Sequence, residues 1–423
     1  MPLMFLTNLI TINLLGPDIY GVLAVLNTLV YIFFALSGMG IDESFPYNYK
    51  NLKQDIEQII FSKMIVTILF ASIFAIFILS FFDIFQFYFL NNTNLELDLN
   101  NIKYLLLIWL PALVFFTFFD LILVLKNQMK FYFFSFFGLN FLRLILTVIL
   151  VYFLKLSIEG ALLSIVLSYL LSIFVFIIWS NKNFFNKRFT FSISITKDLI
   201  SRGKKVYLLN LLAILHKRVD VLLIGFFLST ADVGYYSIAT LIIIVLLQDL
   251  SRSTMWPMIR RLTDFDTNEK DITPLMIKFL FYLNIIIVIF LWIFSPYIVF
   301  FIFGEDFGPS IICINLLALS LLGTSINIPS SGYFVSIGSP GYNIYGVIFC
   351  FLTLIILNIL LIPVLGIKGA AISSSSSQII MAIINLYYLS NKIGIPKRDF
   401  ILLNNNDVSL FREFIGSFYR KIK

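Results

Sequence analysis

Apolar residues run along this chain in long blocks separated by short polar turns. A helix needs about 20 apolar residues to cross the roughly 30 Å of a bilayer's hydrocarbon. Twelve blocks are read as spans: 2–15, 20–40, 59–82, 102–125, 131–154, 159–180, 205–228, 233–254, 278–302, 309–333, 341–364 and 368–390. The first is short, rising only about 21 Å as a helix. It lacks both the positive flank and the A-x-A site of a signal peptide. The reading is that the first helix is truncated and that the true start lies upstream of Met1.

The polar turns alternate in charge. One set carries Lys50 and Lys53, Lys126 and Lys130, a run from Lys182 to Lys205, then Arg260, Arg261 and Lys270, and a tail with Lys392, Lys397, Arg398, Arg412, Arg420, Lys421 and Lys423. The other set holds Asp18, Asp83, Glu96, Asp98, Glu159, Asp232, Glu305 and Asp306. Cytoplasmic loops collect Lys and Arg, so both termini are expected inside and the number of spans even. Lys103, Lys155 and Lys368 depart from the pattern at helix ends, where long side chains can snorkel.

Composition narrows the class. Of 423 residues, 60% are hydrophobic and 13% charged, with a mean hydropathy of +0.98. A soluble domain is about 25% charged, so the bilayer is the main solvent. The net charge of +7 is therefore read as topogenic, and no nucleic-acid partner is expected. Cys313 and Cys350 both lie inside apolar spans, so neither a disulfide frame nor a metal site is expected. There is no GxxxxGK[ST] motif for a nucleotide. His216 is the sole histidine, which leaves little for catalysis; no catalytic residue and no cofactor are assigned.

The chain repeats. "FLRLILTVILVYFLKLSIEGALLS" (141–164) parallels "FLTLIILNILLIPVLGIKGAAISS" (351–374), placing Gly160 and Gly369 209 positions apart. "PDIYG" (17–21) echoes "ADVGY" (231–235), with Asp18 and Asp232 214 apart. Six helices per half keep both halves in one orientation, the arrangement of transporters that bind between two halves and open alternately. The expected architecture is thus an all-α polytopic membrane protein of about twelve transmembrane helices, in two parallel six-helix lobes around a central cavity. Its parts are an N-terminal lobe (1–180), a basic cytoplasmic linker (181–204), a C-terminal lobe (205–390) and a basic cytoplasmic tail (391–423).

Several stretches carry a family resemblance. "LLGPDIYGVLAVLNTLV" resembles the turn after the first helix of polysaccharide flippases, a family of the multidrug/oligosaccharidyl-lipid/polysaccharide exporter superfamily. "RVDVLLIGFFLSTADVGYYSIATLI" (218–242) resembles their seventh and eighth helices, with Pro257 where that family often has proline. "FIFGEDFGPS" is similar to the turn after their ninth helix, and "IPVLGIKGAAISSSSSQII" (362–380) to that between the eleventh and twelfth. Asn48 stands where many relatives carry Arg. The resemblance implies a flippase, not an enzyme: a protein of the bacterial or archaeal plasma membrane that moves a lipid-linked saccharide of polyprenyl-diphosphate type from the inner to the outer leaflet for surface polysaccharide biosynthesis, O-antigen among them. Its partners would be the lipid-linked oligosaccharide and membrane lipid, together with polysaccharide polymerase and chain-length machinery.

Against that background the run "AILHKRVDVLLI" (213–224) stands out. A charge at the bilayer centre costs about 3 kcal/mol or more and usually faces a bundle interior or wet cavity. His216 and Asp220 are i,i+4 neighbours on a helix, and Lys217 and Asp220 are i,i+3. Two readings stay open: Asp220 neutralises Lys217 or Arg218 and locks two helices, or Lys217 and Arg218 line a cavity for an anionic headgroup. Arg143, with no acid at i±3 or i±4, is the second candidate for phosphate, its alternative being snorkelling to the boundary. Asp249 and Arg252 are read as an i,i+3 ion pair and Asp120 as a boundary residue. Coupling to H⁺ or Na⁺ is open, with His216 or Asp220 as carriers. A multidrug antiporter of the same superfamily would favour acidic groups where this cluster is net positive. A polymerase or ligase would need catalytic groups that the acidic loop 83–101 lacks.

Overall fold

The computed structural model describes residues 2–38, 56–89, 99–125, 128–183, 193–243, 269–337, 339 and 341–403. Among the described residues there is no strand. The helices are α1 (Pro2–Ser37), α2 (Ile56–Phe89), α3 (Leu99–Leu125), α4 (Met129–Thr147), α5 (Ser157–Asn183), α6 (Ile193–Phe227), α7 (Thr230–Thr240), α8 (Glu269–Ile302), α9 (Ser310–Ala318), α10 (Ser320–Ser336), α11 (Gly341–Leu365) and α12 (Ile367–Ile393). Among the described residues seven helices are long and apolar enough to cross a membrane, or eight if the bent pair α9–α10 is one span. Large apolar side chains face outward, as they would toward lipid: Phe133, Phe137 and Phe141 form a stacked ladder along α4. The protein is an all-α, multi-pass membrane protein.

Three boundaries differ from the sequence reading. The first two spans join without a loop inside α1, which leaves helical geometry at Gly16 (φ 73°, ψ 175°) and resumes at Pro17. Gly tolerates that positive φ, and proline suits a first helical turn because its missing N–H has no partner there. The seventh helix starts at Ile193, not at 205, because a hydropathy window ends where Lys204, Lys205 and Arg202 begin although the backbone stays helical. The tenth span is broken: α9 and α10 meet at Leu319 with a 41° bend. Side-chain donors flank that break, Ser375 Oγ on the Leu316 carbonyl (2.7 Å) and Asn284 Nδ2 on the Leu321 carbonyl (2.9 Å), a recognised cause of kinks.

The chain packs as two compact units. One comprises residues 1–237 and 300–308, the other 238–299 and 309–423. These boundaries fall at 237–238, 299–300 and 308–309, whereas the repeat read from the sequence divides at 181–204. In the first unit, Leu26, Trp109, Leu110 and Leu162 form a core of almost fully buried side chains. Beside it Phe119 stacks on Phe176 at 4.0 Å and Phe131 on Trp179 at 3.8 Å. In the second unit, a chain of buried amides ties α10 to α12: Asn385 donates to Asn327 Oδ1 (3.0 Å), and Asn327 donates to the backbone and side-chain oxygens of Gln378 (3.1 and 3.2 Å).

The glycines paired by the repeat serve the same purpose. A Cβ on Gly160 would lie 3.0 Å from the Leu150 carbonyl oxygen, and one on Gly369 would collide with that of Leu361. In each half, the missing side chain lets a helical hairpin close backbone to backbone.

Candidate functional site

The charged run of α6 belongs to the first unit and is divided by it. His216 and Asp220 are buried, while Lys217 and Arg218 are half-buried. Asp220 points toward α7, where the Tyr236 hydroxyl donates to its Oδ2 at 2.6 Å. Tyr236 is itself fully buried. This bond crosses a chain reversal fixed by a capping box: Ser229 Oγ accepts from the Asp232 amide (3.2 Å), and the Asp232 carboxylate accepts from the Ser229 amide (3.2 Å) and hydroxyl (2.7 Å). Such reciprocal capping satisfies amides that a helix start leaves free.

Arg218 turns toward α1. Its guanidinium carbon sits 4.7 Å from the centroid of the Tyr31 ring. Cations over aromatic faces are held by the ring quadrupole, more strongly when removed from water. Tyr31 in turn shares a side-chain hydrogen bond with Tyr169 of α5. Arg143 of α4 lies within electrostatic range of the same tyrosines: Tyr169 feels its charge and that of Asp120, and Tyr20 feels both Arg143 and Arg218. The two arginines that sequence reasoning took from the fifth and seventh spans thus lie within electrostatic range of tyrosines from the second and sixth. Among the described residues neither arginine has a carboxylate within ion-pair distance, and the buried Nε of Arg143 has no hydrogen-bond acceptor.

Asp120 accepts from Ser135 Oγ at 3.4 Å. Asp249, Arg252 and Pro257 lie outside the described residues, as do Asp42, Glu43 and Asn48. Sequence reasoning did not single out Tyr20, Tyr31, Tyr169 or Tyr236. The chain has 20 tyrosines, and nothing in the local pattern distinguishes these four.

Also in the first unit, the two turns that the repeat pairs pack against each other. Gly21 abuts the Thr230 carbonyl and Gly234 the Pro17 carbonyl, each so closely that a Cβ would overlap the oxygen. Thr230 Oγ1 donates to Asp18 at 3.4 Å. Residues 300–308 complete this layer, with the buried Phe307 ring edge-on to Tyr235 at 6.3 Å and Asn13 Nδ2 donating to the Ile302 carbonyl at 2.9 Å.

Residues 1–263 match the family described as polysaccharide biosynthesis protein. The chain belongs to that family. The chain is similar to the probable low-salt glycan biosynthesis flippase Agl15 of Haloferax volcanii, 26% identical over 187 residues. That match takes in 42% of this chain and 38% of the relative, so it spans well under half of the relative's length. The fold is similar to that of the lipid II flippase MurJ in an inward closed conformation, with a TM-score of 0.75 at 16% identity, covering 99% of this chain and 97% of the other. An inward-facing multidrug resistance MATE transporter of the MOP superfamily aligns with a TM-score of 0.71 at 18% identity over 93% and 94% of the two chains. A MOP superfamily transporter from Pyrococcus furiosus, reported with a binding pocket of reverse polarity, aligns at 0.63 and 17% identity over 93% and 94%. The fold is shared with all three of these proteins.

Proposed function

We propose that this protein is a flippase, not an enzyme, and that it carries a lipid-linked saccharide with an anionic, diphosphate-type headgroup from the inner to the outer leaflet of the plasma membrane. The observation that carries this reading is that Arg143 and Arg218 both act on Tyr20, while neither has a carboxylate within ion-pair distance among the described residues, Asp120 reaching only as far as Tyr169. A guanidinium held inside a membrane protein is costly, and a site with two of them is made whole by a ligand that brings negative charge. Arg supplies a planar fork of donors that matches phosphate oxygens. Tyr20, Tyr31 and Tyr169 add hydroxyls that can donate to those oxygens or to sugar hydroxyls. Lys217, half-buried next to Arg218, would add a mobile positive charge.

In this reading both termini lie in the cytoplasm, with the linker 181–204 and the tail 391–423 on that side. With the cell interior negative, each charge moved outward through the whole field gains about 2.3 kcal/mol per 100 mV, so two charges gain about 4–5 kcal/mol without nucleotide hydrolysis. If export is also coupled to H⁺ or Na⁺, Asp220, with its Tyr236 partner, or His216 one turn away is the carrier. Polymerase and chain-length machinery would act on the delivered product.

The test uses purified protein in vesicles loaded with a fluorescent polyprenyl-diphosphate saccharide. Arg143→Ala and Arg218→Ala should each reduce transfer between leaflets at least tenfold while the protein remains folded. The multidrug alternative predicts the reverse selectivity: lipophilic cations would be moved and the anionic lipid ignored. That result, or full transfer by both variants, overturns the proposal.

A further inference from the structure

In the second unit, α11 and α12 form an antiparallel hairpin joined at Gly366, so the start of one lies beside the end of the other. Four tyrosines gather there. Tyr388 lies 5.3 Å from Tyr342, 5.6 Å from Tyr387 and 6.1 Å from Tyr345, centroid to centroid. Two exposed lysines flank the cluster, Lys392 with its Nζ 4.9 Å from the Tyr342 centroid and Lys397 with its Nζ 4.8 Å from that of Tyr387.

The second lysine is not on a loose tail. The chain leaves α12 through a left-handed Gly394 whose amide bonds the Ser390 carbonyl, and Ser390 Oγ donates to the Ile395 carbonyl at 2.7 Å. A short 3-10 turn, Lys397–Phe400, then anchors the chain by burying Phe400 against Ile277, Phe334 and Leu389. Both ammonium groups are therefore held over aromatic faces. Among the described residues neither lysine has a carboxylate partner, because the adjacent Asp399 pairs with Arg398 (3.5 Å).

A membrane track leads to the same place. Tyr345, Phe349, Leu352 and Ile356 are all exposed and recur at i, i+4, i+7 and i+11, so they lie on one face of α11. Tyrosine and lysine at a helix end sit at headgroup level in a bilayer, and an apolar stripe below them runs along the acyl chains.

We propose that this end of the α11–α12 hairpin binds the phosphate headgroup of an anionic membrane phospholipid, with Lys392 and Lys397 as the charge partners and an acyl chain along the α11 stripe. A zwitterionic lipid brings its own ammonium group, which two lysines without a carboxylate partner repel, so the site discriminates by charge. The apolar stripe favours a lipid over free phosphate. The site is independent of the arginines of the first unit and of the transport reading.

The experiment is native mass spectrometry of the purified full chain with phosphatidylglycerol or phosphatidylcholine added at equal concentration. The wild-type protein should retain one phosphatidylglycerol more tightly than any phosphatidylcholine. Lys392→Glu with Lys397→Glu should lower that occupancy at least fivefold, and the milder Lys392→Gln with Lys397→Gln severalfold. Lys130→Glu, at an exposed lysine elsewhere, should leave it unchanged. Equal phosphatidylglycerol occupancy in the wild type and the double variants overturns the proposal. So does equal binding of the two lipids by the wild type, or a polyprenyl phosphate that displaces phosphatidylglycerol in a Lys392- and Lys397-dependent way, which would assign the patch to cargo.

Discussion

Gly21 and Gly234 meet each other's helix starts as a reciprocal pair. Gly21 lies against the carbonyl of Thr230, and Gly234 lies against that of Pro17. Both glycines and both carbonyl residues are separated by the same 213 positions, so the contact repeats itself when the two turns are exchanged. A self-complementary contact of this kind is what a local two-fold relationship produces. It brings together the stretches 17–21 and 231–235, whose similarity is one of the two supports for the repeat.

The first prediction concerns that contact. Gly21→Ala or Gly234→Ala places a methyl group where a carbonyl oxygen now sits, and backbone cannot yield as a side-chain tip can. Overpacking of this type costs about 1–3 kcal/mol. Each variant should lower the thermal unfolding midpoint of the purified protein. Gly138→Ala is the matched control, because a Cβ there meets nothing within 4 Å; alanine in a helix interior should be neutral or mildly stabilising. A midpoint for Gly21→Ala equal to that of Gly138→Ala would show that the two turns separate freely.

The second prediction concerns the bond from Tyr236 to Asp220. Removing the hydroxyl with Tyr236→Phe withdraws one donor from a carboxylate that is only 3% exposed. Loss of a partner by a buried polar group costs about 1–3 kcal/mol, and more when the group is charged. The variant should unfold at lower temperature, and Asp220→Asn should recover part of the loss by reducing the charge left behind. A double-mutant cycle measures the coupling directly; a coupling near zero would mean that other neighbours hold Asp220.

Helix placement was legible because hydrophobic length is a strong signal in lipid: each of the twelve predicted spans overlaps a described helix, the second described as far as residue 38 and the eighth as far as residue 243. What escaped was local geometry. The break at Gly16 and the bend at Leu319 depend on one backbone conformation and on donors from Ser375 and Asn284, far away in sequence. The 193–204 extension of α6 is helical but polar, so a search for apolar length stops short of it. At the site, the sequence pointed to Arg143 and Arg218 because charge inside an apolar run is conspicuous. The tyrosines that receive them are ordinary in a chain with 17% aromatic residues. Their selection is made by packing between α1, α4, α5 and α6, which no spacing within one helix reveals.

The last prediction separates the ring of Tyr31 from its hydroxyl. The ring faces the Arg218 guanidinium at 4.7 Å, and the hydroxyl bonds Tyr169. Tyr31→Phe keeps the face and loses the bond; Tyr31→Leu loses both. A cation–π contact contributes about 0.5–1 kcal/mol when exposed and about 2 kcal/mol when desolvated. If the ring positions Arg218 for an anionic headgroup, Tyr31→Phe should retain most of the affinity for a fluorescent polyprenyl-diphosphate saccharide, whereas Tyr31→Leu should weaken it about three- to thirtyfold. Arg218→Lys should fall near Tyr31→Leu, because an ammonium group keeps the charge but not the planar fork. The Tyr31→Leu effect should disappear in an Arg218→Ala background, since the ring then has no cation to hold. Equal and additive losses from the two residues would show that Tyr31 contacts the cargo on its own account, and the positioning role would have to be abandoned.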